Sequence, residues 1–271
     1  MGGVSGVVDF PLGAGGGFMA GWLKGSAMAA DAANGLGREC ESDGAAGIAG
    51  LDIRGKGLWV DGAGGDYFDL FSPVAGNARL MRVVVGDACG HGAASDRLKR
   101  SVRCLVRRRS ALPGSIDEIV TDVNRRLVPQ ARESCDFMTL LYAEFDLSLR
   151  RMRWISAGHG PPMLYHPKEG LWREPGLDRY PPLGIPAGSG YSARRGELVP
   201  GQVVAIGTDG IWEARNPAGE MFGKARLGRI LRERAAEDAD AILSAAFDAL
   251  VEFTGTAGPE DDAVLVIVKV R

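Results

Sequence analysis

Aspartate recurs in this sequence at one kind of address, the end of an apolar run beside glycine. Asp66 lies in GGDYFDLF, Asp87 ends LMRVVVGD, Asp209 ends VVAIGTDG, and Asp261 and Asp262 open DDAVLVIVKV. One aspartate in such a place is an ordinary turn former or helix cap. Repetition suggests a shared task. Two carboxylates about 4 Å apart repel by roughly 4 kcal/mol at an effective dielectric near ~20, so a converging set needs protons or cations. Oxygen donors without His or Cys clusters suit Mg2+ or Mn2+. A pair of such ions can activate a bridging water for in-line attack on phosphorus.

Other residues capable of chemistry are few. His91, in the glycine loop after Asp87, is a candidate general acid that could protonate a leaving oxygen. His159, before a double proline, reads as a buried histidine pinning its turn. Asp69 reads as shaping the strand around Tyr67–Phe71. Cys40, Cys89, Cys104 and Cys135 have no zinc-site spacing, and Cys104 and Cys135 read as buried or semi-buried thiols in a reducing cytoplasm. Cys89 is a spacer beside Asp87. No G-x-S-x-G elbow marks a serine hydrolase. Gly90-x-Gly92 resembles part of a dinucleotide loop, but Ser95 replaces its third glycine and βαβ alternation is missing downstream.

These residues need elements to position them. Residues 1–45 are rich in Gly and Ala and predict a mobile or weakly helical leader; Asp9 and Lys24 argue against a signal peptide. Over residues 46–271 the pattern becomes regular and predicts one folded domain. Strands are expected around LWV, DYFDLF and ARLMRVVVGD, the last buried on both faces. Two helices follow. The first places Leu98, Val102, Leu105 and Val106 on one face. The second starts at a Ser115–Glu118 capping box, carries Ile116, Ile119, Val123 and Leu127, and is expected to stop at Pro129. Hairpins then turn near Leu147–Leu149 and at Lys168–Gly170. An apolar strand, two more helices and a buried closing strand complete an α+β order. Arg97, Lys99, Arg100, Arg103 and Arg107–Arg109 load the first helix with positive charge, a solvated face or a dock for an acidic partner. The net charge of −2 supplies no global pull toward nucleic acid or membrane.

The ordered motifs GGDYFDLF, VGDACGHGAA, FMTLLYAEFD, WISAGHGPPMLY, PLGI, LVPGQVVAIGTDGIWEARNPAGEMFG and DDAVLVIV resemble the SpoIIE/RsbU branch of the metal-dependent, type 2C-like serine/threonine phosphatases, from about Gly64 to Arg271. The resemblance implies a four-layer α/β/β/α sandwich with two mainly antiparallel sheets. It also implies two Mn2+ or Mg2+ ions and hydrolysis of phosphoserine or phosphothreonine without a phosphoenzyme. Asp66, Asp87, the carbonyl of Ala88 and Asp209 are the implied ligands, with Asp261 favoured over Asp262 in the final pair; Asp87 and Asp209 are the implied catalytic centre. The implied substrate is a phosphorylated STAS-type anti-sigma factor antagonist in a cytoplasmic partner-switching pathway. The alternative is a weakly active or inactive phosphatase fold that binds a signalling partner. Val264 stands where the family often has Thr or Ser. The helix start AASDRLKR is more polar than usual there, and no Leu-Leu-Pro segment precedes the domain, which suggests a stand-alone catalytic unit.

Overall fold

In the computed structural model, the residues described are 48–60, 64–73, 79–90, 92–134, 136–176 and 180–271. The leader, Cys40, His91 and Cys135 lie outside them. Among the described residues there are ten strands, most of them built from alternating or continuous apolar runs: β1 (Leu51–Leu58), β2 (Asp66–Phe71), β3 (Leu80–Ala88), β4 (Met138–Asp146), β5 (Arg151–Ala157), β6 (Met163–His166), β7 (Leu171–Arg173), β8 (Arg194–Glu197), β9 (Val203–Gly207) and β10 (Ala263–Val270). They pair antiparallel into two five-stranded sheets. One has the order β1-β10-β9-β6-β7 and the other β2-β3-β4-β5-β8.

Side-chain alternation divides each sheet between two cores. Val83, Val85, Leu141 and Phe145 of the second sheet meet Val204, Ile206, Val264 and Val266 of the first. The opposite face of the second sheet, with Val84, Leu140 and Tyr142, is covered by α1 (Ala93–Ser110) and α2 (Ile116–Ser134). The opposite face of the first sheet, with Val203, Ala205 and Ile267, is covered by α4 (Lys224–Glu233) and α5 (Ala239–Thr254). A one-turn helix, α3 (Asp209–Trp212), follows β9 directly. This is the expected four-layer sandwich. Each helix stripe and sheet face is buried against the next layer, where apolar area contributes about 25 cal/mol per Å2.

The strand expected around LWV lies earlier, at Leu51–Leu58, with Trp59 and Val60 beyond its end. Ser115 N–H donates to Glu118 Oε2 at 2.8 Å, and Glu118 N–H donates to Ser115 Oγ at 3.3 Å, a reciprocal capping box. Pro129 does not stop α2, which runs on to Ser134. Leu127 and Ala131, four residues apart, are both buried in the core, and that packing carries the helix past the backbone bond a proline removes. Cys104 is exposed rather than buried, because it falls on the arginine face of α1. The strand β8 was not anticipated: its sequence RRGE is polar, and it lies at a sheet edge.

Candidate active site

Antiparallel register places the aspartates at one end of the sandwich. Asp66 opens β2 and stands opposite Asp87 near the end of β3, and Asp87 stands opposite Thr139 at the start of β4. Directly opposed residues share a face, and this row lies on the face turned toward the other sheet. From that other sheet come Asp209, two residues beyond the end of β9, and Asp261 and Asp262, just before β10.

Burial sorts the carboxylates into distinct settings. Asp66 is 3% exposed, and its Oδ2 is buried without a hydrogen-bond partner. Burial, followed by the charges of Asp87, Asp262 and Asp209, holds its pKa well above the usual carboxylate range, against an opposing interaction with the Thr208 hydroxyl. Asp87 is partly buried and is pushed up to about 6 by burial and then by Asp209 and Asp261, with hydrogen bonding to Asp66 opposing the rise. The mutual influence of Asp66, Asp87, Asp209, Asp261 and Asp262 brings the predicted residues into one electrostatic group.

Asp261 and Asp262 have different surroundings. Asp262 Oδ1 accepts from the N–H of Val60 at 3.1 Å, and its Oδ2 accepts from the N–H of Asp66 at 3.3 Å. Both oxygens are therefore engaged in tying the chain before β2 to β10. A methyl on Gly64 would sit 1.5 Å from Asp262 Oδ2, and one on Gly210 would sit 1.8 Å from its carbonyl oxygen, so both close approaches require glycine. Asp261 is exposed and, with Asp209, Gly210, Glu213, Arg215 and Glu260, lines a groove of about 270 Å3.

The residues match a hard divalent cation in several respects. The donors are oxygens, one buried carboxylate oxygen is unpartnered, and the charges of the group repel one another. The carbonyl of Ala88, the other expected donor, lies against Gly65. Among the described residues, no three His, Cys, Asp or Glu side chains stand close enough together to hold an ion as they are placed. Asp209 and Asp261 are exposed, and Asp261 Oδ1 accepts from the N–H of Asp262 at 2.8 Å.

Other predictions resolve clearly. Asp69 is buried and ion-paired to Arg107 and Arg103, tying β2 to α1. Cys89 Sγ accepts from the N–H of Phe137 at 3.2 Å, bracing the loop beside Asp87. Lys99, which the sequence grouped with the solvated charges, is mostly covered: its ammonium donates to the Gly64 carbonyl and pairs with Asp96 at 3.2 Å. Thus the unusual helix start SDRLKR touches the loop that carries Asp66. Thr208 and Thr139 were missed. Period-two alternation from Ile206 and Leu141 places each on the inter-sheet face, a signal available in the sequence.

The Stage II sporulation protein E (SpoIIE) family pattern matches residues 77–271, and so begins after Asp66. Protein IcfG of Synechocystis sp. is 28% identical over 191 residues, covering 60% of this chain and 29% of that protein. Phosphoserine phosphatase RsbU of Bacillus subtilis is 21% identical over 223 residues, covering 80% of this chain and 63% of that protein. The chain therefore spans less than two thirds of each of these curated relatives. Among solved structures, the RsbU and RsbW domains of Rv1364c from Mycobacterium tuberculosis superpose with a TM-score of 0.70 at 26% identity, covering 82% of this chain and 60% of that one. The PP2C phosphatase domain of SpoIIE from Bacillus subtilis, with a fragment of its regulatory domain, also gives 0.70, at 17% identity and covering 81% and 63%. That second likeness shows the fold alone.

Proposed function

The chain belongs to the SpoIIE family, and from that premise we propose that residues 46–271 form a metal-dependent phosphatase acting on phosphoserine or phosphothreonine in proteins. One observation carries the reading: the buried, partly unpartnered carboxylate of Asp66 faces Asp87 across a strand pair, within the field of Asp209 and Asp262. Such a group costs stability without a cation, and its donor chemistry suits Mn2+ or Mg2+.

Asp66, Asp87, Asp209 and Asp261 would hold two such ions, with the Ala88 carbonyl as a further donor. Bound there, the ions would supply positive charge for the phosphoryl oxygens and an activated water for in-line attack. The protein's own part is positional. Strand pairing fixes Asp66 and Asp87. Asp262, with both oxygens occupied by backbone N–H groups, holds the β2 entry in place and acts as a brace rather than a ligand. The groove beside Asp209 and Asp261 receives the phosphorylated segment. His91 is the proposed proton donor to the leaving oxygen.

For substrate, we propose a phosphorylated STAS-type anti-sigma factor antagonist in a cytoplasmic partner-switching pathway. The family resemblance and the RsbU relative support this choice. No described helix is long and apolar enough to cross a membrane. The test is substitution at the two proposed catalytic aspartates. Asp87→Asn and Asp209→Asn should each lower Mn2+-supported phosphoserine hydrolysis at least about a hundredfold. Wild-type rates in both would overturn the assignment.

A further inference from the structure

We propose that His159, acting with Thr139, is a positioning residue that sets the distance between the Asp87 and Asp209 sides of the site. This rests on the metal-site reading above. The imidazole is 7% exposed and spans the gap between the sheets. Its Nδ1 lies 3.0 Å from Thr139 Oγ1 on one sheet, and its Nε2 lies 3.0 Å from the Gly207 carbonyl oxygen on the other. Thr139 is directly opposite Asp87. Gly207 ends β9, two residues before Asp209. The hydrogen-bonded path therefore runs from the strand neighbour of one proposed ligand to the backbone that delivers another.

The bonding partners fix the proton. A carbonyl can only accept, so Nε2 carries the hydrogen, and Nδ1 is left to accept from the Thr139 hydroxyl. Burial agrees with a neutral ring, lowering its pKa to about 4. The backbone of His159 is held as well, because Ser156 Oγ donates to its carbonyl. On the far flank of the carboxylate row, Asp262 makes the matching connection by accepting from Asp66 N–H. Next to Gly207, Thr208 is fully buried. Its hydroxyl accepts from Val264 N–H at 2.9 Å and opposes the pKa rise at Asp66. The two flanks thus fix the offset between the sheets where the carboxylates meet. A side chain needed only for packing would not require two polar ends satisfied on two different sheets. Groups that orient metal ligands in this indirect way tune affinity without touching the metal.

The test measures Mn2+ binding by the full chain in the absence of substrate, following free Mn2+ by its electron paramagnetic resonance signal. Thr139→Val removes the hydroxyl at constant shape, Thr139→Ser restores it, and His159→Gln shortens the bridge. Thr139→Val and His159→Gln should bind Mn2+ about 10–100-fold more weakly, while Thr139→Ser stays near the wild type. Thermal unfolding in chelator establishes that each variant is folded; if His159→Gln does not fold, the Thr139 pair decides. Wild-type affinity in Thr139→Val, or equal weakening in Thr139→Ser, overturns the positioning role alone. A wild-type chain that binds no Mn2+ overturns this inference and the metal-site reading together.

Discussion

Replacing Asp66 with asparagine should make the metal-free protein more stable while removing its response to metal. The carboxylate is 3% exposed, one of its oxygens has no partner, and Asp87, Asp262 and Asp209 all oppose its charge. Leaving a buried polar group unsatisfied costs about 1–3 kcal/mol, and more when it is charged. Asparagine keeps the shape, removes the charge and can donate to Asp87. A gain of about 2 kcal/mol corresponds to several degrees in the unfolding midpoint of a domain this size. The pH dependence has a defined sign. The folded pKa of Asp66 is raised, so the folded state holds the proton more tightly and the wild type loses stability as pH rises above the ordinary aspartate value of about 3.9. The advantage of Asp66→Asn should therefore be largest near neutrality and vanish in acid. In Mn2+ the order reverses, because an ion at about 100 times its Kd adds roughly 2.7 kcal/mol to a protein that binds it. Thermal scans in chelator and in Mn2+, at two pH values, measure all of this. A variant less stable than the wild type in chelator near neutral pH, or one stabilised equally by Mn2+, would refute the reasoning.

The adjacent aspartates should separate by role. Asp261→Asn should weaken Mn2+ binding with little change in chelator stability, whereas Asp262→Ala should cost about 1–3 kcal/mol of stability by leaving the N–H groups of Val60 and Asp66 unpaired; the same binding titration and thermal scans distinguish them, and the reverse pattern would exchange their roles. On α1, Arg97 and Arg108 are exposed and make no ion pair among the described residues, unlike Arg100, Arg107 and Arg109. Converting Arg97 and Arg108 to Glu should slow association with an acidic phosphoprotein and flatten its salt dependence, leaving turnover of a small aryl phosphate unchanged. Stopped-flow association rates at two ionic strengths measure this, and unchanged kinetics would leave α1 a solvated face.

The layers were legible because long periodic segments report their buried face directly. Leu98, Val102 and Val106, and Ile116, Ile119, Val123 and Leu127, all lie in the helix-covered core. The unbroken apolar end of β3 is buried on both faces. What escaped depended on partners distant in sequence. Pro129 looks like a stop unless Ala131 is known to have a core to enter. Lys99 looks solvated until Gly64 is placed beside it. Arg194–Glu197 has no apolar alternation to mark it as a strand and, among the described residues, pairs with β5 alone. At the site, the recurring addresses of the aspartates correspond to one end of the sandwich, where antiparallel register brings Asp66 opposite Asp87. The different surroundings of Asp261 and Asp262 depend on the backbone N–H groups of Val60 and Asp66, contributed by a segment about two hundred residues away.

The most direct measurement of the central claim is phosphate release from a phosphoserine peptide by the purified chain in Mn2+, repeated with chelator and again with Mn2+ restored. The carboxylate site predicts hydrolysis that chelator abolishes and restored metal recovers. Hydrolysis that persists in chelator, or a folded, Mn2+-loaded chain that releases no phosphate from phosphoserine peptides or proteins, would contradict it.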